Sequence, residues 1–165
     1  MAGFVVAMLV QAATAPWSPP VQAQWVDDGS GISARIEADR KPILMHGETR
    51  FAVILSSKNG GFRVSPFLAA TRGIAFEVTD RSGEMVAPRE PIPISPPPPP
   101  LAESQLRVVT SNTPLRAGIG ERAVHLFPKP GRYRVRAIIT LMSIAGPVAK
   151  YKQLRTNYVT VDVED

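Results

Sequence analysis

The sequence predicts an all-β fold: one antiparallel β-sandwich of seven to eight short strands, interrupted by a proline-rich inter-strand loop. Three observations lead there. Apolar and polar residues alternate with period two in short stretches, as half-buried strands require. Gly, Asn, Asp and Pro punctuate these stretches at roughly ten-residue intervals. No segment keeps a helical period over three turns. The length of 165 residues suits one domain around one core.

The strands follow in chain order. Ile32, Ala34 and Ile36 alternate with Ser33, Arg35 and Glu37. Phe51-Ala52-Val53-Ile54-Leu55 is a continuous apolar run of β-forming residues, as in a central strand. Asn59-Gly60-Gly61 then turns the chain, because Asn and Gly accept positive φ. Ile74 to Thr79 alternates again, Asp80-Arg81-Ser82-Gly83 reads as a hairpin turn, and Met85-Val86 starts a returning strand. Leu106 to Val109 is a further strand, Thr113 to Gly118 a loop, and Glu121 to Phe127 a strand with Ala123, His125 and Phe127 on one face. Pro128-Lys129-Pro130-Gly131 turns into Tyr133 to Ile139, the strongest strand of the chain. Gly146-Pro147 turns once more. In the last strand, Tyr158, Thr160 and Asp162 face one side and Val159, Val161 and Val163 the other.

Proline is the compositional outlier, with 17 residues or about 10% against a usual ~5%. It concentrates between Pro88 and Leu101 and culminates in Pro96, Pro97, Pro98, Pro99 and Pro100. Without N–H donors these residues enter neither a ladder nor a helix interior, so polyproline II is expected. The functional reading of the five prolines is a docking strip for an aromatic groove. The plain structural role is a stiff connection between sheets.

The N-terminus is different in kind. Residues 1–26 carry no charged side chain, and Gly3 to Val10 is an apolar run extended through Ala15. At about 14 residues it is short for a membrane span but fits a signal-peptide core. Residues 1–23 are therefore expected to be a signal peptide, with cleavage between Ala23 and Gln24. No Lys or Arg precedes the run. That leaves an upstream start, an uncleaved anchor, or a first element of the fold as alternatives. Residues 24–31 follow as an extension and 32–165 as the sandwich, in the periplasm or outside the cell.

The chain has no cysteine, which excludes disulfides, thiolate metal sites, a cysteine nucleophile and a lipid-bearing cysteine. The net charge of +5 lies entirely in residues 101–165, with ten basic and five acidic groups. Arg132, Arg134 and Arg136 share one face of a strand, with Tyr133, Val135 and Ala137 on the other. Two-residue steps of ~6.6 Å make the three guanidinium groups a ladder suited to phosphate, sulfate or carboxylate partners. Lys150, Lys152 and Arg155 extend the patch if their strand is adjacent. The plain role of such a ladder is a soluble face protected from edge pairing.

Phe127-Pro128-x-Pro130-Gly131-x-Tyr133-Arg134-Val135-Arg136-Ala137 resembles the start of the penultimate strand in bacterial immunoglobulin-like domains. Asn157-Tyr158-Val159-Thr160-Val161 likewise resembles the lead into their last strand. The resemblance covers roughly residues 32 to 164. It implies a secreted immunoglobulin-like sandwich in which Tyr133 fills a tyrosine corner, its hydroxyl bonded to nearby backbone. It implies no single function. Periplasmic pilus chaperones are also secreted sandwiches, but they have two domains and this chain has room for one.

Catalytic and ligand motifs find no support. His46 and His125 stand 79 positions apart, without metal-ligand spacing. Gly-x-Ser-x-Gly is absent. Gly118-Ile119-Gly120-Glu121-Arg122-Ala123 matches a loose dinucleotide pattern, but a strand follows where that pattern needs a helix. The expectation is a non-catalytic binding or accessory module without cofactor or metal. Its partner would be a protein or an anionic envelope polymer, not nucleic acid, and only a retained N-terminal segment would touch membrane. The rival reading is a small secreted proteinase inhibitor presenting the proline-rich loop.

Overall fold

The computed structural model describes residues 26–27, 31–70, 72–94, 96, 101–143 and 150–165. The expected signal peptide and residues 97–100 of the proline run lie outside them. Twelve strands are present among the described residues: β1 (Val26–Asp27), β2 (Ile32–Ala38), β3 (Ile43–Leu44), β4 (Glu48–Ser57), β5 (Phe62–Val64), β6 (Ala69–Ala70), β7 (Gly73–Thr79), β8 (Arg107–Val109), β9 (Leu115–Arg122), β10 (Gly131–Ser143), β11 (Lys150–Arg155) and β12 (Val159–Glu164). Seven of them have six residues or more. The only helical pieces among the described residues are two three-residue turns, Glu103–Gln105 and Ala123–His125. The fold is therefore all-β.

A four-stranded sheet runs β1-β2-β4-β9, and a second runs β3-β12-β10-β7-β6 with β11 also on β10. β5 and β8 form a separate ribbon. The long pairings are antiparallel; only the two-residue contacts β3–β12 and β6–β7 are parallel. β4 is central, flanked by β2 and β9, as its continuous apolar run requires. Phe51, Val53 and Leu55 share one core with Tyr133, Val135, Ala137 and Ile139 of β10.

β10 is long enough to serve two partners along one edge. Residues Gly131 to Val135 pair with β12, and Ile138 to Ser143 pair with β11. The change of partner occurs at Thr156 and Asn157. The Thr156 N–H donates to the Ala137 carbonyl at 3.0 Å, and the Ala137 N–H donates to Thr156 Oγ1 at 2.9 Å. The same hydroxyl donates to the Asn157 carbonyl at 2.9 Å. Asn157 then crosses to the other sheet. Its Oδ1 accepts from the Ile36 N–H at 3.0 Å, and its Nδ2 faces the Ile36 carbonyl at 3.4 Å. One side-chain amide thus substitutes for a neighbouring strand on β2.

The expected turns at Asn59–Gly61 and Asp80–Gly83 form, while the one at Gly146-Pro147 lies outside the described residues. Gly60 and Gly83 have φ of +92° and +87°, values that glycine adopts without strain. Asp80 Oδ1 accepts from the N–H groups of Ser82 and Glu84 at 2.8 and 3.1 Å, closing the turn after β7. Tyr133 is buried against Phe127, ring centroids 5.1 Å apart, and its hydroxyl donates to the Lys129 carbonyl at 2.8 Å.

Four expectations need correction. The strand placed at Glu121 to Phe127 ends at Arg122, and His125 lies in a buried turn. Of the expected loop Thr113 to Gly118, the part from Leu115 onward is strand: Leu115 and Ile119 fill the core while the chain pairs with β4. Two exposed glycines hid that alternation. The return after Asp80 is one bridge, Thr79 with Met85, because Pro88 soon removes a donor. Val26–Asp27 belongs to the first sheet, not to an extension outside it.

Replacing Thr156 by Val removes the hydroxyl and leaves the buried Ala137 N–H without its acceptor. The expected cost is about 1–3 kcal/mol, measured by urea unfolding. An unchanged midpoint and slope would contradict the role given to this junction.

Candidate functional site

The outer face of the second sheet carries the expected arginines. Alternation along β10 turns Tyr133 and Val135 into the core and leaves Arg132 and Arg134 exposed, with Arg136 half-buried. Their neighbours across the ladders decide what each can do. Arg132 pairs in register with Asp162 and donates two bonds to it, Nε to Oδ1 at 2.6 Å and Nη2 to Oδ2 at 2.9 Å. Arg136 pairs in register with Glu77 and donates to its Oε2 at 2.8 Å. Arg134 stands between them, opposite Thr160 and Thr79. Its guanidinium lies 4.4 Å from the Tyr158 ring centroid, and that of Arg136 lies 4.7 Å away. The Tyr158 hydroxyl donates to Glu77 Oε1 at 2.6 Å.

This is a fixed platform. Each cation–π contact contributes about 0.5–1 kcal/mol at an exposed site, and the tyrosine is held from its edge by Glu77. The bond from Arg136, then that from Tyr158, holds the Glu77 carboxyl below its ordinary pKa of 4.5, against a smaller opposing effect of burial. Burial, then the bond to Glu77, raises the Tyr158 phenol. Asp162 is lowered by the bond from Arg132.

The ladder is therefore unequal. Arg132 and Arg136 are committed to carboxylates, whereas Arg134 makes no ion pair among the described residues. Arg155 joins it: β11 sets it opposite Ile138, on the arginine face, and its charge also lowers Glu77. Arg81 sits near Asp162 and acts on it likewise. Lys152 does not join. It pairs in register with the buried Leu141, so alternation places it on the opposite face from Arg155. Lys150 pairs with Ser143, at the far end of that ladder.

The outer face of the first sheet repeats the theme. Glu37 is buried and receives Arg35 at 3.0 Å and Arg116 at 2.7 Å. Elsewhere, an open groove of about 470 Å³ lies where β2 ends and β3 and β4 begin. Its charged lining, Asp39, Lys41, Glu48 and Arg50, is of mixed sign. His46 is exposed and His125 buried, far apart in the chain. No group of three or more metal-ligating side chains is found among the described residues. Pro96 is exposed. No protein-family model, curated protein or solved structure matches the chain.

The Glu77 carboxyl titrates lower in the folded chain than when unfolded. Its contribution is complete above the unfolded pKa of 4.5 and is lost as pH falls through the lower folded value. Stability measured by urea unfolding is expected to drop between about pH 5 and pH 3. Glu77→Gln should shrink that drop. An equal drop in the variant would show that Glu77 does not carry it.

Proposed function

We propose that this chain is a non-catalytic binding or accessory module, built as an immunoglobulin-like sandwich and exported to the periplasm or beyond. It recognises an anionic polymer or an acidic protein surface through the outer face of the second sheet. The observation that carries the reading is Arg134. Its guanidinium is oriented by Tyr158, lies on a rigid sheet, and has no carboxylate neutralising it among the described residues. Arg155, near Glu77, and Arg81, near Asp162, add further positive charge to the same sheet. A stacked arginine is held with its plane set and its edge N–H groups available, so a ligand oxygen meets an ordered donor. The paired arginines, Arg132 and Arg136, act as framework.

Heparin and polyphosphate are suitable probes. The double variant Arg134→Gln/Arg155→Gln should bind them roughly three- to tenfold more weakly than the parent chain, with a shallower salt dependence. Arg132→Gln should change retention little, because Asp162 already neutralises Arg132. Unchanged retention of the double variant would sink the reading.

A second reading has its own observation. Ile94, in the proline-rich segment, is 94% exposed. Upstream, that segment is tied down by main-chain bonds from Arg89 and Glu90. An ordered segment projecting a bare apolar side chain suits a proteinase inhibitor loop. Incubation with a panel of proteases tests it. Inhibition abolished both by Ile94→Asp and by Gly/Ser in place of Pro96–Pro100 would establish this reading, and no inhibition of any protease would remove it.

A further inference from the structure

We propose that His125 is a pH-sensitive latch for the proline-rich segment, a device independent of the arginine face. The segment begins by docking on the Ala123–His125 turn. The Arg89 N–H donates to the Phe127 carbonyl at 3.3 Å, and the Glu90 N–H donates to the Val124 carbonyl at 2.9 Å. Ile92 then packs against the core, and Ile94 stands clear of it. The side chain of Glu90 therefore has a fixed starting point beside the turn.

His125 lies between two carboxylates. Its side chain is 7% exposed, with Nδ1 hydrogen-bonded to Glu121 Oε1 and Nε2 3.8 Å from Glu90 Oε2. Glu121 is itself fixed, because the same oxygen accepts the Arg122 N–H at 2.9 Å. Arg122 also reaches Glu90, Nη1 to Oε2 at 3.4 Å, from an exposed position. The charged groups on the surrounding elements are Glu121 and Arg122 on β9, Arg89 and Glu90 on the segment, Glu48 on β4 in register with Arg122, and Lys129 in the following turn. Of these, Glu121 and Glu90 are the carboxylates within 4 Å of the ring.

The chemistry follows from the two ring nitrogens. A neutral imidazole carries one N–H, and the carboxylate at Nδ1 draws it there. Nε2 then turns a lone pair toward the Glu90 carboxylate, and the two do not attract. A protonated ring has a second N–H at Nε2 and a positive charge facing Glu90. Protonation therefore fastens Glu90, and with it the start of the segment, to the body of the domain. Loss of that proton leaves only the exposed Arg122 contact and the main-chain bonds. The latch is closed while the ring is protonated and loosens when the ring is neutral.

Hydrogen exchange of the full chain, corrected for the intrinsic pH dependence of exchange, reads the latch at the Glu90 amide. Between pH 5.5 and 8.5 its protection should fall roughly tenfold in the parent chain. Glu90→Gln keeps the ring, Glu121 and the main-chain bonds but removes the charge facing Nε2, and its protection should vary little with pH. His125→Gln should do the same. Protection at core amides of β10 serves as the folding control in each variant. A pH-independent Glu90 amide in the parent chain would overturn the proposal. So would an undiminished pH dependence in Glu90→Gln.

Discussion

The pairing of Thr156 and Asn157 with two strands at once is the constraint on which the rest of the molecule depends. β10 must exchange β11 for β12 along one edge, and an exchange of partners inside a sheet leaves backbone groups without acceptors. Thr156 supplies both a donor and an acceptor to Ala137 at that gap. Asn157, immediately next, satisfies Ile36 on the opposite sheet. The relative position of the sheets is thereby tied to the point at which β12 starts. The register of β12 then follows, and with it the pairing of Asp162 with Arg132 and of Thr160 with Arg134. Tyr158, one residue beyond the junction, is delivered to the arginines by the same geometry.

Seen from this junction, the charge on the outer face is sorted by register, not by composition. Glu77 and Asp162 neutralise the two arginines directly opposite them. Arg134 faces threonines, so its charge stays available and an aromatic ring sets its orientation. A lysine there would lack the planar group that stacks, and Arg→Lys at this position would not be conservative. Both outer faces use a carboxylate gripped by two basic or polar partners, Glu37 on one and Glu77 on the other. In both clusters the carboxylate lies mostly out of water while its arginines stay partly exposed.

Much of this was legible in the sequence. Period-two alternation marks β2, β7, β10 and β12, a continuous apolar run marks β4, and the resemblance at Pro130-Gly131-x-Tyr133 implies the inward tyrosine of β10. β9 was missed because Gly118 and Gly120 occupy its outward positions and erase the polar half of the pattern. His125 was placed on a strand because its neighbours Val124 and Leu126 alternate with it, although all of them are buried in a turn. The ladder Arg132, Arg134, Arg136 was visible, but its neutralisation was not. Glu77 and Asp162 sit 59 and 30 positions from their arginines, and register between distant strands is not written in local alternation. Lys152 was grouped with Arg155 by sequence proximity, which an odd spacing on a strand defeats.

The topology also governs when the chain can fold. β4 finds its outer neighbour β9 only across the intervening residues 58–114, and β7 reaches β10 only across residues 80–130. Both sheets close through contacts of large sequence separation, which makes folding slow compared with a helical chain of equal size. The first sheet is complete only with β9 and the second only with β12. Until β9 and β10 emerge, β4 and β7 each lack a long pairing partner along one edge.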